Sequence, residues 1–351
     1  MKFHLVKLGS RPLLAVPCGM HSLWGVAIDC YPAHTGKKRL VRKLLHGLAG
    51  VGLIRWAFPS RNLSLPGVGK VDFEAWVALL GEQLHLAELQ PVLVWPADPL
   101  RGRVYMYLLN KDGEKVGFCK LGLDAKNNAL INRERQALEH LQSMELKLSK
   151  IPKLLAHGEL DGEISREVDG GAYLVVEMTP VDASNIDWQS DVSIEANIAE
   201  YAGSSRVIER AEVETLNWWS GVMRQFTDRS ALMDEVDVAV DQGIEVCLAH
   251  GDLNCTNVLL SKTNDQVWLL DWAQSDHNAP ILTDQVCMAV DKLWLANAED
   301  TSGNLQKFKD TFIYENDPEK RAQIILALAY LAAAGFPPAL AMMDAIYAEG
   351  S

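Results

Sequence analysis

Residues 246–272 combine acidic and amide side chains with short apolar runs. The segment reads VCLAHGDLNCTNVLLSKTNDQVWLLDW and contains His250, Asp252, Asn257 and Asp271. An apolar run that stops at an acid is typical of a buried strand that carries the acid to the rim of a cleft. Carboxylate and amide oxygens suit Mg²⁺, which shares its coordination with water and substrate phosphates. The segment therefore indicates metal and phosphate chemistry, and the remaining carboxylate would hold an acceptor hydroxyl.

Two strands and a helix are predicted upstream of this segment, and they carry Lys120 and Glu134. The β-rich runs 103–109 and 115–121 flank an Asn-Lys-Asp-Gly-Glu turn, which predicts a hairpin, and the second run carries Lys120. Apolar residues at i, i+3, i+4 and i+7 spacing predict a helix over 130–141, with Glu134 beside its apolar face. These elements indicate a small β-rich lobe.

The remaining segments predict further strands in the N-terminal part of the chain and helices in its C-terminal part. A second strand pair is predicted at 151–157 and 172–178, and strands are also predicted at 13–16 and 23–28. Helices are predicted at 71–89, 207–226, 283–296, 305–313, 319–334 and 338–348. The C-terminal part is therefore expected to be mainly helical.

Length and charge limit the architecture and the partners. A chain of 351 residues buries a large core and predicts two lobes or two to three subdomains. The net charge of −13 argues against a general nucleic-acid binder, because phosphate backbones favour basic surfaces. Residues 1–98 hold 11 Lys and Arg against 6 Asp and Glu, whereas the remainder holds 22 against 40. This asymmetry predicts a separate N-terminal module.

The cysteines and the N-terminus indicate a cytoplasmic protein. The six cysteines form no CxxC pair and no zinc-like spacing with histidine, which is typical of free thiols in a reducing cytosol. The N-terminus has no continuous apolar signal region, and no apolar run is long enough to cross a membrane. We therefore expect a soluble, intracellular chain.

Residues 37–58 read KKRLVRKLLHGLAGVGLIRWAF and have two interpretations. One is a surface helix on an anionic membrane, with its basic residues meeting headgroups. The other is an amphipathic helix packed on a neighbouring lobe, in which the glycines weaken any isolated helix. The glycine-containing segments 47–52 and 66–70 depart from known phosphate-loop patterns and are interpreted as turns or close packing.

The order of these elements resembles the aminoglycoside phosphotransferase and choline kinase-like family, which has a protein-kinase-like fold. The matching motifs are His-Gly-Asp-Leu at 250–253, Asn-Val-Leu at 257–259 and Leu-Asp-Trp at 270–272. The resemblance covers residues 96–300 in the order of elements and is specific over 246–284. It implies an α+β, two-lobed fold with a β-rich N-lobe (96–180), a helical C-lobe (181–351) and an additional N-terminal module of unassigned role (1–95).

The resemblance also implies roles in phosphate transfer. Asp252 would be the catalytic carboxylate that orients the acceptor hydroxyl and takes its proton, and Asn257 and Asp271 would hold Mg²⁺. Lys120 would contact the α- and β-phosphates of the nucleotide, and Glu134 would pair with Lys120.

Four further residues receive supporting roles from the resemblance. The backbone groups of Glu177 and Met178 would bind adenine at an interlobe hinge. His250 would be a structural hydrogen-bonding residue of the catalytic loop, and Asp284 would brace that loop. The expected cofactors are ATP, or another nucleoside triphosphate, and Mg²⁺.

Several departures from the protein kinase pattern favour a small-molecule acceptor. Asn254 replaces a lysine, Trp-Ala follows Asp271 in place of Phe-Gly, and no Ala-Pro-Glu motif follows. Asn254-Cys255 also stands where the small-molecule kinases often have His-Pro. The expected glycine-rich loop at 99–103 has one glycine, so nucleotide binding there would either depend on Arg101 or Arg103 or be weak.

The sequence therefore predicts an ATP- and Mg²⁺-dependent phosphotransferase. Its partners would be a nucleoside triphosphate and a small molecule with a hydroxyl, such as a sugar, an amino alcohol or an aminoglycoside-like compound, and no nucleic acid. The alternatives are a non-catalytic kinase-like binding or regulatory module and a protein kinase. Asp182, Asp187 and Asp191 would meet a cationic acceptor or lie in solvated loops. The acceptor and the oligomeric state are left open.

Overall fold

The chain forms strands in its N-terminal part and mainly helices in its C-terminal part. The computed structural model describes residues 1–19, 23–31, 36–62, 71–95, 102–160, 164, 171–187, 193–312 and 317–350. The strands in these ranges are β1 (Phe3–Leu8), β2 (Arg11–Pro17), β3 (Ser60–Arg61), β4 (Gln90–Val94), β5 (Arg103–Leu109), β6 (Lys115–Gly122), β7 (Ser149–Lys150), β8 (Leu154–Glu159), β9 (Ala172–Val176), β10 (Ala183–Asn185), β11 (Arg206–Ile208), β12 (Ile244–Ala249), β13 (Val258–Ser261), β14 (Val267–Leu269) and β15 (Asp276–Pro280).

Helices alternate with these strands at first and then dominate. They are α1 (Trp24–Asp29), α2 (Gly36–Gly50), α3 (Ile54–Ala57), α4 (Phe73–Leu84), α5 (Ala125–Ser143), α6 (Glu195–Ala202), α7 (Arg210–Val213), α8 (Trp219–Gln225), α9 (Ser230–Gln242), α10 (Thr283–Ala296), α11 (Thr301–Phe312), α12 (Pro318–Ala333) and α13 (Pro337–Gly350). The predicted α+β fold class, β-rich first and helical afterwards, is confirmed.

Two compact units divide the chain. The first comprises Met1–Arg135 and Pro152–Met178, and the second comprises Gln136–Ile151 and Thr179–Ser351. The first unit therefore includes residues 1–95 together with most of the predicted N-lobe. The structure differs in this respect from the predicted three-part division at residues 95 and 180.

A single antiparallel sheet joins residues 1–95 to the predicted N-lobe. In the described residues of the first unit its order is β3-β1-β2-β4-β5-β6-β9-β8. Strands β4 and β5 pair from Gln90 opposite Leu109 to Val94 opposite Tyr105, across the predicted boundary. The basic N-terminal segment thus contributes strands to the sheet that carries Lys120.

Side chains alternate between the two faces of this sheet, as strand geometry requires. In β4, Leu93 packs in the cluster that contains Trp76 of α4, whereas Val92 and Val94 pack in the cluster that contains Trp24 of α1. Each face is thus covered by helices. This burial on both sides explains why strands from residues 1–95 extend the sheet.

The second unit is built around the buried helix α12. Residues 324–331 of this helix are all buried and pack in one cluster with residues from α8, α9, α10 and α13. Two short sheets accompany the helices, with orders β10-β13-β14-β7 and β11-β12-β15 among the described residues. The first of these sheets contains β13, which follows Asn257, and β14, which precedes Asp271.

Some elements predicted from the sequence agree with the observed helices and strands, and others do not. The predicted boundaries of β5 and α10 agree with the structure. The strand predicted at 23–28 is wrong, because this segment forms α1 and buries Trp24, Ala27 and Ile28 at helical spacing. The short segment fits either period, and packing against the sheet selects the helix. The glycine-containing segment 66–70 and residues 99–101 of the expected glycine-rich loop lie outside the described residues.

Candidate functional site

Lys120 and Glu134 form a buried ion pair in the first unit. The Nζ atom of Lys120 lies 2.7 Å from Oε1 and 2.8 Å from Oε2 of Glu134. The two residues are 5% and 3% exposed. Lys120 lies on β6 opposite Tyr105 and Leu174, and Glu134 lies on the buried face of α5 that includes Ile131 and Leu138. The predicted pairing of these two residues is present.

The segment after β9 leaves backbone groups available for a ligand. The N–H of Glu177 donates to the carbonyl of Lys153 at 2.8 Å, and its carboxylate accepts from the N–H of Lys153 at 3.3 Å. Within the described residues, the Glu177 carbonyl and the Met178 N–H make no hydrogen bond. Recognition of adenine here would thus use these two groups and not the Glu177 N–H.

The loop between β12 and β13 carries most of the candidate residues of the second unit. Gly251 has a φ of +76°, which disfavours any side chain. A Cβ atom at this position would also lie 2.3 Å from the carbonyl oxygen of Gln274. The glycine of the His-Gly-Asp motif is therefore required both by its backbone conformation and by the approach of a neighbouring chain segment.

Asp252 is held by two amide side chains. Its Oδ1 accepts from Nδ2 of Asn254 at 2.7 Å, and its Oδ2 accepts from Nδ2 of Asn257 at 3.1 Å. Burial raises the pKa of Asp252, and the charge of Asp271 adds to this rise, whereas His250 and the two amides act in the opposite direction. A desolvated carboxylate with a raised pKa is typical of a group that exchanges a proton.

Asn257 and Asp271 are connected through the residue before the aspartate. The carbonyl of Asn257 accepts from the N–H of Leu270 at 2.9 Å, and the carbonyl of Leu270 lies 2.8 Å from Nε2 of His250. The Nδ1 atom of His250 accepts from the N–H of Asp252 at 3.3 Å, so its proton lies on Nε2. His250 thus ties the loop to the strand end that precedes Asp271.

The backbone of Asp271 adopts an uncommon conformation. Its φ and ψ angles are both 62°, in the left-handed region, and the 3-10 turn Trp272–Gln274 follows directly. Such a conformation costs a residue other than glycine about 1–3 kcal/mol and is often found at functional sites. The indole of Trp272 is fully buried and contacts the rings of His250 and Tyr201 at centroid distances of 4.6 Å and 5.1 Å.

Asp284 accepts hydrogen bonds from the start of the loop between β12 and β13. It lies in the first turn of α10 and is 2% exposed. Its carboxylate accepts from the N–H of His250 at 2.6 Å, from the N–H of Gly251 at 2.9 Å and from the hydroxyl of Tyr201 at 2.6 Å. These charge-assisted bonds fix the start of the loop.

Asp291 supports the same loop and was not predicted from the sequence. Its Oδ2 accepts from the N–H of Cys255 at 2.9 Å. Asp291 follows Asp284 by seven residues, so both carboxylates lie on one face of α10. This spacing is the available sequence signal, but it becomes informative only once the helix is known to pack against the loop.

Asp182 anchors the hairpin that contains β13 and β14. Its Oδ2 accepts from the hydroxyl of Thr263 at 2.7 Å, from the hydroxyl of Ser261 at 2.8 Å and from the N–H of Thr263 at 2.9 Å. The bond from the Thr263 hydroxyl, followed by that from Ser261, lowers the pKa of Asp182 to about 2. These hydrogen bonds indicate that Asp182 stabilises the hairpin. They do not favour the interpretation in which Asp182 meets a cationic acceptor. Asp191 lies outside the described residues.

The lowered pKa of Asp182 predicts a pH-dependent contribution to stability. The folded pKa lies below the ordinary value of 3.8, so the contribution is present above pH 3.8 and is lost as the pH falls towards about 2. We expect Asp182→Asn to lower the thermal midpoint at neutral pH and to converge with the wild type near pH 2. Thermal unfolding across this range checks the expectation, with Asp234→Asn on the exposed face of α9 as the matched control. A difference that stays constant with pH would contradict it.

The donor set suits a hard divalent cation that shares its coordination with phosphate. The amide nitrogen of Asn257 donates to the backbone carbonyl of Asp252 at 2.8 Å as well as to its carboxylate, so the amide oxygen remains as the acceptor. Within the described residues, no group of three or more His, Cys, Asp or Glu could hold a metal ion. One amide and one carboxylate oxygen therefore fit Mg²⁺ with substrate oxygens better than a site made entirely of protein ligands.

Comparison with known proteins places kinase-type enzymes among the similar structures. No protein family model and no curated protein matches the chain. An aminoglycoside phosphotransferase APH(3'')-Id from Streptomyces rimosus aligns with a TM-score of 0.41 and 16% identity, over 75% of this chain and 98% of that chain. Its complex with ADP and streptomycin aligns with a TM-score of 0.39 and 15% identity, over 75% and 98%. A macrolide 2'-phosphotransferase type I aligns with a TM-score of 0.42 and 15% identity, over 80% and 98%. The likeness at these identities concerns the backbone arrangement.

Proposed function

We propose that this chain is an ATP- and Mg²⁺-dependent phosphotransferase that phosphorylates a hydroxyl group of a small molecule. The observation that carries the proposal is the hydrogen-bonded arrangement of Asp252, Asn257 and Leu270 in the second unit. One desolvated carboxylate, one amide oxygen and a second carboxylate after a strand are held together by the chain itself. This donor set suits a phosphate-bound metal and a hydroxyl nucleophile.

Asp252 has the role of the catalytic carboxylate in this proposal. It accepts a hydrogen bond from the acceptor hydroxyl, aligns the hydroxyl oxygen with the γ-phosphorus and takes the proton as the new O–P bond forms. The bond between the γ-phosphorus and the oxygen that bridges it to the β-phosphate breaks in the same transfer, and ADP is the leaving group. The raised pKa of Asp252 supports this role, because a base with a pKa nearer the working pH accepts a proton more readily. Asn254 and Asn257 position its two oxygens through their amide nitrogens.

Asn257 and Asp271 are the proposed metal ligands. A bound Mg²⁺ would neutralise charge on the phosphate oxygens and hold them in place. The network of His250, Leu270 and Asp284 fixes these ligands before any substrate binds. Preorganised groups lower the barrier because they need no rearrangement during the reaction.

Lys120 is proposed to contact the α- and β-phosphates of the nucleotide. Its ion pair with Glu134 supports the role because it fixes the ammonium group at the end of a long, flexible side chain. The carbonyl of Glu177 and the N–H of Met178, which make no hydrogen bond in the part of the chain that the structure describes, supply one acceptor and one donor, the pair that the adenine edge requires. Phosphate transfer needs little else from the protein besides positioning and charge.

The proposal is tested by following the γ-phosphate of labelled ATP. The purified chain is incubated with Mg²⁺ and a panel of aminoglycosides, macrolides, amino alcohols and sugars, and the products are separated into small molecules, protein and inorganic phosphate. We expect labelled phosphate on at least one small molecule. Label on Ser, Thr or Tyr of a protein would instead support the protein kinase alternative. ATP left intact, with no effect of nucleotide on thermal stability, would support the non-catalytic alternative.

A further inference from the structure

The helix α2 has apolar residues on two different faces. Val41, Leu45 and Leu48 pack in the cluster that lies against the first sheet. Leu40 and Leu44 are 60% and 62% exposed. At about 100° per residue, the exposed pair points roughly 90° away from the core-facing set. Packing on the sheet therefore accounts for one apolar face of α2 and leaves the other exposed.

The exposed apolar surface continues beyond the helix. Val51, Leu53 and Trp56 are 69%, 52% and 86% exposed. The N–H of Val51 bonds to the carbonyl of Gly47, so the helical path extends this far and brings Val51 onto the side of Leu40 and Leu44. Isolated exposed apolar residues are common on proteins, but five within 17 residues form a patch.

The same segment is strongly basic. Residues 36–62 contain seven Lys and Arg and no Asp or Glu, in a chain with a net charge of −13. These basic residues are Lys37, Lys38, Arg39, Arg42, Lys43, Arg55 and Arg61. Lys37, Arg39, Lys43 and Arg55 are exposed around the apolar patch. The local positive charge therefore opposes the overall charge of the protein.

We propose that residues 36–57 form a docking surface for an anionic lipid bilayer. Basic residues meet the headgroups, while Leu40, Leu44 and Trp56 enter the interface between headgroups and acyl chains. Charge alone would suit RNA equally, but aliphatic side chains gain nothing from a phosphate backbone in water. A surface that is both anionic and hydrocarbon-rich satisfies both features. The chain would lie on the membrane, since no helix in its described part is long and apolar enough to cross it. This inference is independent of the proposed phosphate transfer.

Vesicle binding tests the inference on the full chain. We expect cosedimentation with phosphatidylcholine–phosphatidylglycerol vesicles, weak binding to pure phosphatidylcholine vesicles and release as the salt concentration rises. Leu40→Gln with Leu44→Gln should lower the partition coefficient at least about tenfold, because two exposed leucines lose their apolar contact with the bilayer. Lys43→Gln should lower it about fivefold.

A matched pair of exposed leucines in the second unit supplies the control. Leu295 and Leu148 are 60% and 51% exposed. Leu295→Gln with Leu148→Gln therefore also replaces two exposed leucines with glutamine, but outside residues 36–57. Vesicle binding by this control should equal that of the wild type. Absence of binding to anionic vesicles, equal losses in both double variants, or retention on polyuridylate without retention on vesicles would overturn the inference.

Discussion

Asp252→Asn is expected to lower the turnover number by about 10²–10⁴-fold, the usual contribution of a positioned general base. The asparagine keeps the size of the side chain but neither carries the charge nor accepts the proton of a hydroxyl. The stability of the fold should change by less than about 1 kcal/mol, since the burial that raises the pKa of Asp252 also disfavours its charged form. A large kinetic loss with little change in unfolding would separate a catalytic role from a structural one.

Steady-state ADP release and urea unfolding of the same preparations measure these two effects. Asp234→Asn removes an exposed carboxylate from α9 and should leave both quantities unchanged. If Asp252→Asn turned over at the wild-type rate, the carboxylate would not be the base. If it unfolded at a much lower urea concentration, a structural role would explain any loss of activity.

Lys120→Met is expected to destabilise the fold by about 3–5 kcal/mol, the usual cost of removing one partner from a buried ion pair. The ammonium of Lys120 lies within 2.8 Å of both oxygens of Glu134, and both residues are buried. Removing it takes the cation away from a carboxylate that water does not solvate. Nucleotide affinity should fall as well, because the proposed phosphate contact is lost.

A double-variant cycle separates pairing from packing. Lys120→Met combined with Glu134→Leu should recover a large part of the lost stability, since an apolar pair of similar volume often replaces a buried ion pair without cost. Lys126→Met on the exposed surface of α5 is the control and should have little effect on urea unfolding. Equal destabilisation by the control, or additive losses in the double variant, would exclude a strong coupling between Lys120 and Glu134.

Local patterns predicted the strand of Lys120 and the helix of Glu134, and the family resemblance predicted that the two residues pair. The strand β6 places Lys120 in a run of buried residues, and the 3.6-residue helical repeat places Glu134 on the buried face of α5. Each element is recognisable within its own segment. The two apolar runs of β13 and β14 were equally local, so Asn257 before the first run and Asp271 after the second could be identified as candidates. Asp284 became a candidate through the family resemblance.

Features that depend on distant contacts could not be predicted in this way. The pairing of β4 with β5, which places residues 1–95 in the first sheet, joins segments whose partners no local pattern specifies. The segment of α1 fits a strand as well as a helix until its packing is known. Asp291 is an ordinary helical acid in sequence, and its bond to the N–H of Cys255 depends on how α10 meets the loop.

Nucleotide binding as a function of Mg²⁺ concentration tests the proposed metal–phosphate site most directly, because it requires no knowledge of the acceptor. Calorimetric titration with a non-hydrolysable ATP analogue would compare the wild type with Asp271→Ala, and Asp234→Asn would serve as the control. We expect Mg²⁺ to strengthen binding to the wild type and to the control, and to have little effect on Asp271→Ala. Absence of binding to the wild type, or the same Mg²⁺ dependence in all three proteins, would contradict the assignment of this site and the phosphotransferase function built on it.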